Sequence, residues 1–182
     1  PPVREEPAIA KVREKLRKAG MHPFSLPLGI DIDRWLAKGQ TPWDAHPHSF
    51  DGKLDAETVA LALARQHDNV TLQTGSRVTR LITAPDGQAI EAVEYIRDGQ
   101  TQKLTPKLVI LSAGAVQSAV LLLRSANDNH PTGLANASDQ VGRNFMNHNS
   151  SAVLALSPTY RNDSVYQKTF GFNDFYLSDG NG

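Results

Sequence analysis

The chain has 182 residues and a mass of 19.8 kDa, enough for one domain or one domain with an appendage. Its 19 Lys+Arg balance 19 Asp+Glu, so no global field draws in nucleic acid or an anionic membrane, and both are excluded as default partners. No apolar run reaches the roughly 18 residues that a membrane span needs, and with no Cys there is no disulfide, thiolate metal site or Cys nucleophile.

In chain order, residues 7–19 (PAIAKVREKLRKA) read as an amphipathic helix. Ile9, Val12 and Leu16 share a face, and Gly20 is a natural stop. Pro23, Pro27, Pro42 and Pro47 break up residues 21–52, which read as ordered loop with a short helical stretch near Asp33–Ala37. Residues 55–66 (DAETVALALARQ) predict a mostly buried helix with Asp55 as N-cap. Short strands are expected at Val70–Gln73, Arg77–Thr83, Ala89–Arg97 and Gln102–Leu104. The turn Pro85-Asp86-Gly87 and the hairpin signal Asp98-Gly99 make residues 77–104 an antiparallel meander.

Lys107–Ser112 (KLVILS) has four consecutive aliphatics, which predicts a strand buried on both faces, as in a parallel sheet between helices. Ala113-Gly114-Ala115 follows, and then an apolar helix over Val116–Ala126. Strand, small-residue turn and helix is the unit of dinucleotide-binding sheets. Small residues at the turn let backbone approach a ligand near a helix N-terminus that favours phosphate. Many α/β sheets carry such a turn for packing alone, so the local pattern is not decisive. A short helix is expected at Gln140–Asn147 and a strand at Ser150–Leu156, before an aperiodic aromatic tail. The ends, Pro1-Pro2-Val3 and Ser178-Asp179-Gly180-Asn181-Gly182, suggest a piece of a longer protein.

The wider stretch is more specific. AIEAVEY at 89–95, KLVILSAGAVQSAVLLLRSA at 107–126, GLAN at 133–136 and VGRNFMNH at 141–148 occur in an order and spacing that resembles the glucose–methanol–choline (GMC) oxidoreductase family. The resemblance covers roughly residues 55–157. It departs from the family pattern at Ala119, where Pro is usual, at Arg124-Ser125-Ala126, where Leu-Ser-Gly is usual, and at Asn147, where Asp is usual before His148.

The resemblance implies an α/β fold: a partial FAD/NAD(P)-binding, Rossmann-like domain with an antiparallel β-meander. Residues 1–54 would be an irregular and helical connecting segment, 55–149 part of the FAD-binding domain, and 150–182 the start of a substrate-binding domain. The family's GxGxxG turn does not occur in the sequence, and no residue matches its catalytic His, so no catalytic residue is assigned. The cofactor implied is FAD, and the substrate a small alcohol or sugar. In such an enzyme a His takes the hydroxyl proton while hydride passes to the flavin. By the same resemblance, Val78 matches a residue whose main-chain N–H and C=O pair with the adenine edge. Ala113, Gly114 and Ala115 match the turn that passes close to the ADP part, where any larger side chain would occupy ligand space.

Alone, the chain is expected to be catalytically inert and to bind FAD weakly or not at all. The alternatives are a binding module that kept a flavoprotein scaffold without its chemistry, and a piece of a two-dinucleotide flavoprotein that uses NAD(P)H. Other residues read as structural. Asp44, His46 and His48 form a D-x-H-x-H cluster, but Pro47 makes it a loop, so no metal site is assigned. His148 reads as a helix-end residue. Ser112 and Ser118 lack a G-x-S-x-G elbow. Asn69, Asn136, Asn149 and Asn162 head N-x-[ST] sequons, which matter only along a eukaryotic secretory route.

Overall fold

A computed structural model describes residues 5–31, 33–34, 52, 54–153, 156–160, 164 and 168–176. The chain divides into two units: Pro1–Thr71 together with Leu154–Gly182, and Leu72–Val153.

In the first unit, helix α1 spans Pro7–Lys18. Pro7 sits at the first helical position, where its missing N–H costs nothing, and Lys15, Arg17 and Lys18 fill the last turn, where cations suit the helix dipole. Ala8 and Ile9 are buried, whereas Val12 on the same stripe is half exposed. Arg13 binds Glu5 and also reaches Ser25 Oγ at 3.1 Å. Two short strands, β1 (Phe24–Ser25) and β5 (Phe170–Gly171), pair antiparallel across almost the whole sequence. The same region carries a second tie. The His22 backbone N–H and ring Nδ1 both bond the Asp174 carboxylate, the ring at 2.6 Å. These bonds, the ring's first, hold the Asp174 carboxyl below the usual carboxylate range.

The expected helix at 55–66 forms differently. A π-helical segment, Ala56–Leu61, runs into a short α-helix, α2 (Ala62–Ala64). Asp55 is the N-cap, accepting from Thr58 N–H at 2.8 Å, while Thr58 Oγ1 accepts from Asp55 N–H at 3.0 Å. The expected burial fails: none of these helical residues is buried, and Leu63 is 58% exposed. An apolar stripe is covered only where another element lies on it, and among the described elements none makes sustained contact with this one.

The second unit is built on a three-stranded antiparallel sheet, β2 (Arg77–Thr83), β3 (Ile90–Arg97) and β4 (Gln100–Leu104), in the order β2-β3-β4. The Asp98-Gly99 link takes positive φ at both residues, 52° and 75°, the geometry that suits a two-residue hairpin. Helix α3 (Ala115–Arg124) packs on β2. Leu81 of β2, Leu121 of α3 and Leu134 form the buried cluster, with Ile90, Val93, Val109, Leu111 and Leu122 packed around it.

Three expected elements are absent. Val70–Gln73 is irregular. Gln140–Asn147 is irregular, with one turn at Val141–Gly142, rather than a helix, because Gly142 and Asn144 take positive φ. Lys107–Ser112 is not a strand among the described residues, and only one side of it is half-buried. Val109 and Leu111 meet the cluster, while Leu108 and Ile110 are 78% and 80% exposed. A run of aliphatics becomes a buried strand only when neighbours supply backbone partners and cover both faces; here alternation places one face on the core. Of Ser150–Leu156, the described residues are irregular.

Candidate functional site

The bend at Ala113–Ala115 is set by its backbone. Gly114 is the N-cap of α3 with φ 82° and ψ 164°, a region essentially confined to glycine. A Cβ built on Gly114 meets nothing within 4 Å, and Ala113, Gly114 and Ala115 are all exposed. Ser118, considered above only as a nucleophile, pins the bend: its Oγ accepts from Ala113 N–H at 3.1 Å, and its own N–H donates to the Gly114 carbonyl at 3.0 Å. The bend is therefore an open, glycine-dependent entry to the N-terminus of a ten-residue apolar helix.

Val78 lies on β2, an edge strand of its sheet, and is 42% exposed. It pairs with Tyr95, and Arg80 pairs with Glu94, so Thr79 is an extra residue on β2. This bulge is fastened by Thr79 Oγ1, which donates to the Glu94 carbonyl at 3.3 Å. Beyond it, β2 docks on the far end of α3. Leu81 N–H donates to Ser125 Oγ at 2.9 Å, and Ser125 is fully buried. The Arg80 guanidinium donates to the Ala126 carbonyl, and Asn127 Nδ2 donates to Thr83 Oγ1 at 3.1 Å.

The candidate residues thus fall into two groups. Ala113, Gly114 and Ala115 share one bend. Val78 is on β2, which is tied through Leu81 and Arg80 to the opposite end of α3. Ser118 and Ser125 lie within the family-like stretch 107–126, but nothing in the sequence signalled their hydrogen bonds or that of Thr79.

The segment after α3 is held by its own polar side chains. Asn136, 3% exposed, donates to the Thr132 carbonyl at 2.8 Å and accepts from Val141 N–H at 2.9 Å. A carboxamide buried and bonded in this way is not open to glycosylation, which disposes of that sequon. Arg143 pairs with Asp139. Gly142–Met146 borders an apolar groove of about 590 Å³ along α3, floored by Val116, Ala119 and Leu123. His148 is exposed in an irregular stretch, not at a helix end. Asp44, His46 and His48 lie outside the described residues, as does Asn162. Among the described residues no cluster of His, Asp or Glu could hold a metal ion, and no helix is long and apolar enough to cross a membrane.

The candidate features are thus an open sheet edge and a glycine-only bend at a helix N-terminus, and comparison with known proteins places them in a family. Residues 31–150 match the GMC oxidoreductase family model, and the chain belongs to that family. The matched region belongs to the family's FAD-binding domain. The chain is 31% identical to 6'''-hydroxyparomomycin C oxidase of Streptomyces lividus, over 94% of this chain and 34% of that protein. It is 40% identical to 5-(hydroxymethyl)furfural oxidase of Methylovorus sp. (strain MP688), over 52% of this chain and 18% of that protein. It is 34% identical to 2-methyl-1,2-propanediol dehydrogenase of Mycolicibacterium austroafricanum, over 60% of this chain and 20% of that protein. The chain therefore spans about a third or less of the curated relatives it matches.

Proposed function

We propose that this chain forms the adenosine side of the FAD site in an oxidoreductase that acts on CH–OH groups of small alcohols or sugars. The observation that carries the reading is Gly114: a backbone open to glycine alone, at an exposed helix N-terminus, inside the region that matches the family. Ala113, Gly114 and Ala115 give steric permission for the ADP part to pass. Ser118 keeps their backbone in place.

The adenine role of Val78 gains support from the strand's phase. Leu81 N–H faces away from β3, toward Ser125. Counting back, Arg80 turns inward, Thr79 is the extra residue, and Val78 returns to the outer set. Its N–H and C=O then face the open edge, as pairing with an adenine edge requires. Bound FAD supplies the hydride acceptor; this chain's residues bind and orient its nucleotide end.

The names of the relatives support the substrate class: two are oxidases and one a dehydrogenase of hydroxyl-bearing small molecules. The chain alone is inert in this reading, since none of its residues is assigned to proton or hydride transfer. The test uses the full product of the gene, purified with its flavin and offered primary alcohols and sugars without oxygen. The reading expects flavin bleaching with one carbonyl product per flavin. Flavin that no alcohol or sugar bleaches would favour a binding module instead.

A further inference from the structure

We infer that Ser125 is a positioning residue of the flavin site: its hydroxyl sets which main-chain groups β2 presents along its outer edge. This rests on the adenine-edge reading of Val78. Ser125 is fully buried and both capacities of its hydroxyl are used. Oγ donates to the Leu121 carbonyl at 2.7 Å and accepts from Leu81 N–H at 2.9 Å. The strand is thereby locked in register to the last turn of α3. Arg80 on the Ala126 carbonyl and Asn127 on Thr83 hold the same end.

The consequence reaches Val78 through the bulge. An edge strand offers alternate residues outward, so a one-residue change of phase would turn Val78's N–H and C=O toward β3. Thr79 already inserts one such change. Only a fixed point beyond the bulge defines which residues before it face out, and Leu81 on Ser125 is that point. Without the hydroxyl, a buried N–H loses its acceptor and the strand end must shift to satisfy it. Ser125, fully buried, acts through Leu81 and Val78.

The test uses the full product of the gene, stripped of flavin, with FAD and ADP affinities measured by calorimetry and Leu81 amide exchange followed by NMR or mass spectrometry. Ser125→Ala is expected to weaken FAD and ADP alike by about tenfold and to speed Leu81 exchange. Ser125→Cys, near-isosteric with a poor acceptor, should do the same if the alanine variant folds badly. Leu134→Ala removes packing from the same cluster but leaves this bond, so it should lower stability and spare ADP affinity. Unchanged ADP affinity in Ser125→Ala, or an equal loss in Leu134→Ala, overturns the inference. Val78→Pro separates the two levels: proline is tolerated where an edge N–H faces out. If it weakens ADP while the Ser125 variants do not, only the positioning role falls. If it changes nothing, the adenine reading falls as well.

Discussion

Leu81 and Ser125 are joined by a hydrogen bond of 2.9 Å between two buried residues, main-chain N–H to side-chain Oγ. The bond fastens the edge of the sheet to the end of α3. Removing the hydroxyl strands a buried donor, which costs about 1–3 kcal/mol. Ser125→Ala should therefore lower the urea midpoint with a nearly unchanged m-value, because a shift confined to the strand end hardly changes the surface buried on folding.

Gly114 and Gly133 make a contrasting pair. Both have positive φ, 82° and 106°. A Cβ on Gly114 meets open space, whereas a Cβ on Gly133 would lie 2.9 Å from Leu123 Cα. Gly114→Ala carries only the backbone penalty, about 1–3 kcal/mol, yet places a methyl group where the ADP part is proposed to pass. Gly133→Ala adds a steric clash with the α3 backbone. Thermal unfolding should show the larger loss for Gly133→Ala, and flavin content per folded protein should fall for Gly114→Ala.

Asp174 gives a pH signature in the first unit. Its carboxyl is held low by the His22 ring and backbone N–H. A depressed folded pKa contributes stability above the unfolded value, about 3.9, and loses it as pH falls through the folded value. The unfolding midpoint should carry this group's full and constant contribution between neutral pH and about 4, and should lose it as pH falls further. Asp174→Asn should lower the midpoint at neutral pH and remove its share of the acid decline. An identical acid profile in the variant would mean that the pair contributes nothing.

Local signals made the meander readable. Arg77–Thr83 was expected with the bounds it has, and Asp98-Gly99 forms the turn its residues demand. Helix α1 follows from its apolar spacing and from Gly20. What sequence could not supply was partnership. KLVILS reads as a strand, but strands exist only through neighbours, and among the described residues it has none. The β1–β5 pair joins Phe24 to Gly171 without any local cue. Gln140–Asn147 looked helical until the left-handed φ at Asn144 ended the periodicity. At the site, the family motif pointed to the bend and to Val78, while the bonds of Ser118 and Ser125 emerged only from packing.

The measurement that tests the account most directly is hydrogen exchange of the gene's full product with and without FAD. Slower exchange is predicted at the amides of Arg77–Thr79 and of Ala113–Gln117 when flavin binds. If flavin binds and slows exchange elsewhere while both segments stay unchanged, the adenosine end of the cofactor does not lie against them and the assignment is wrong.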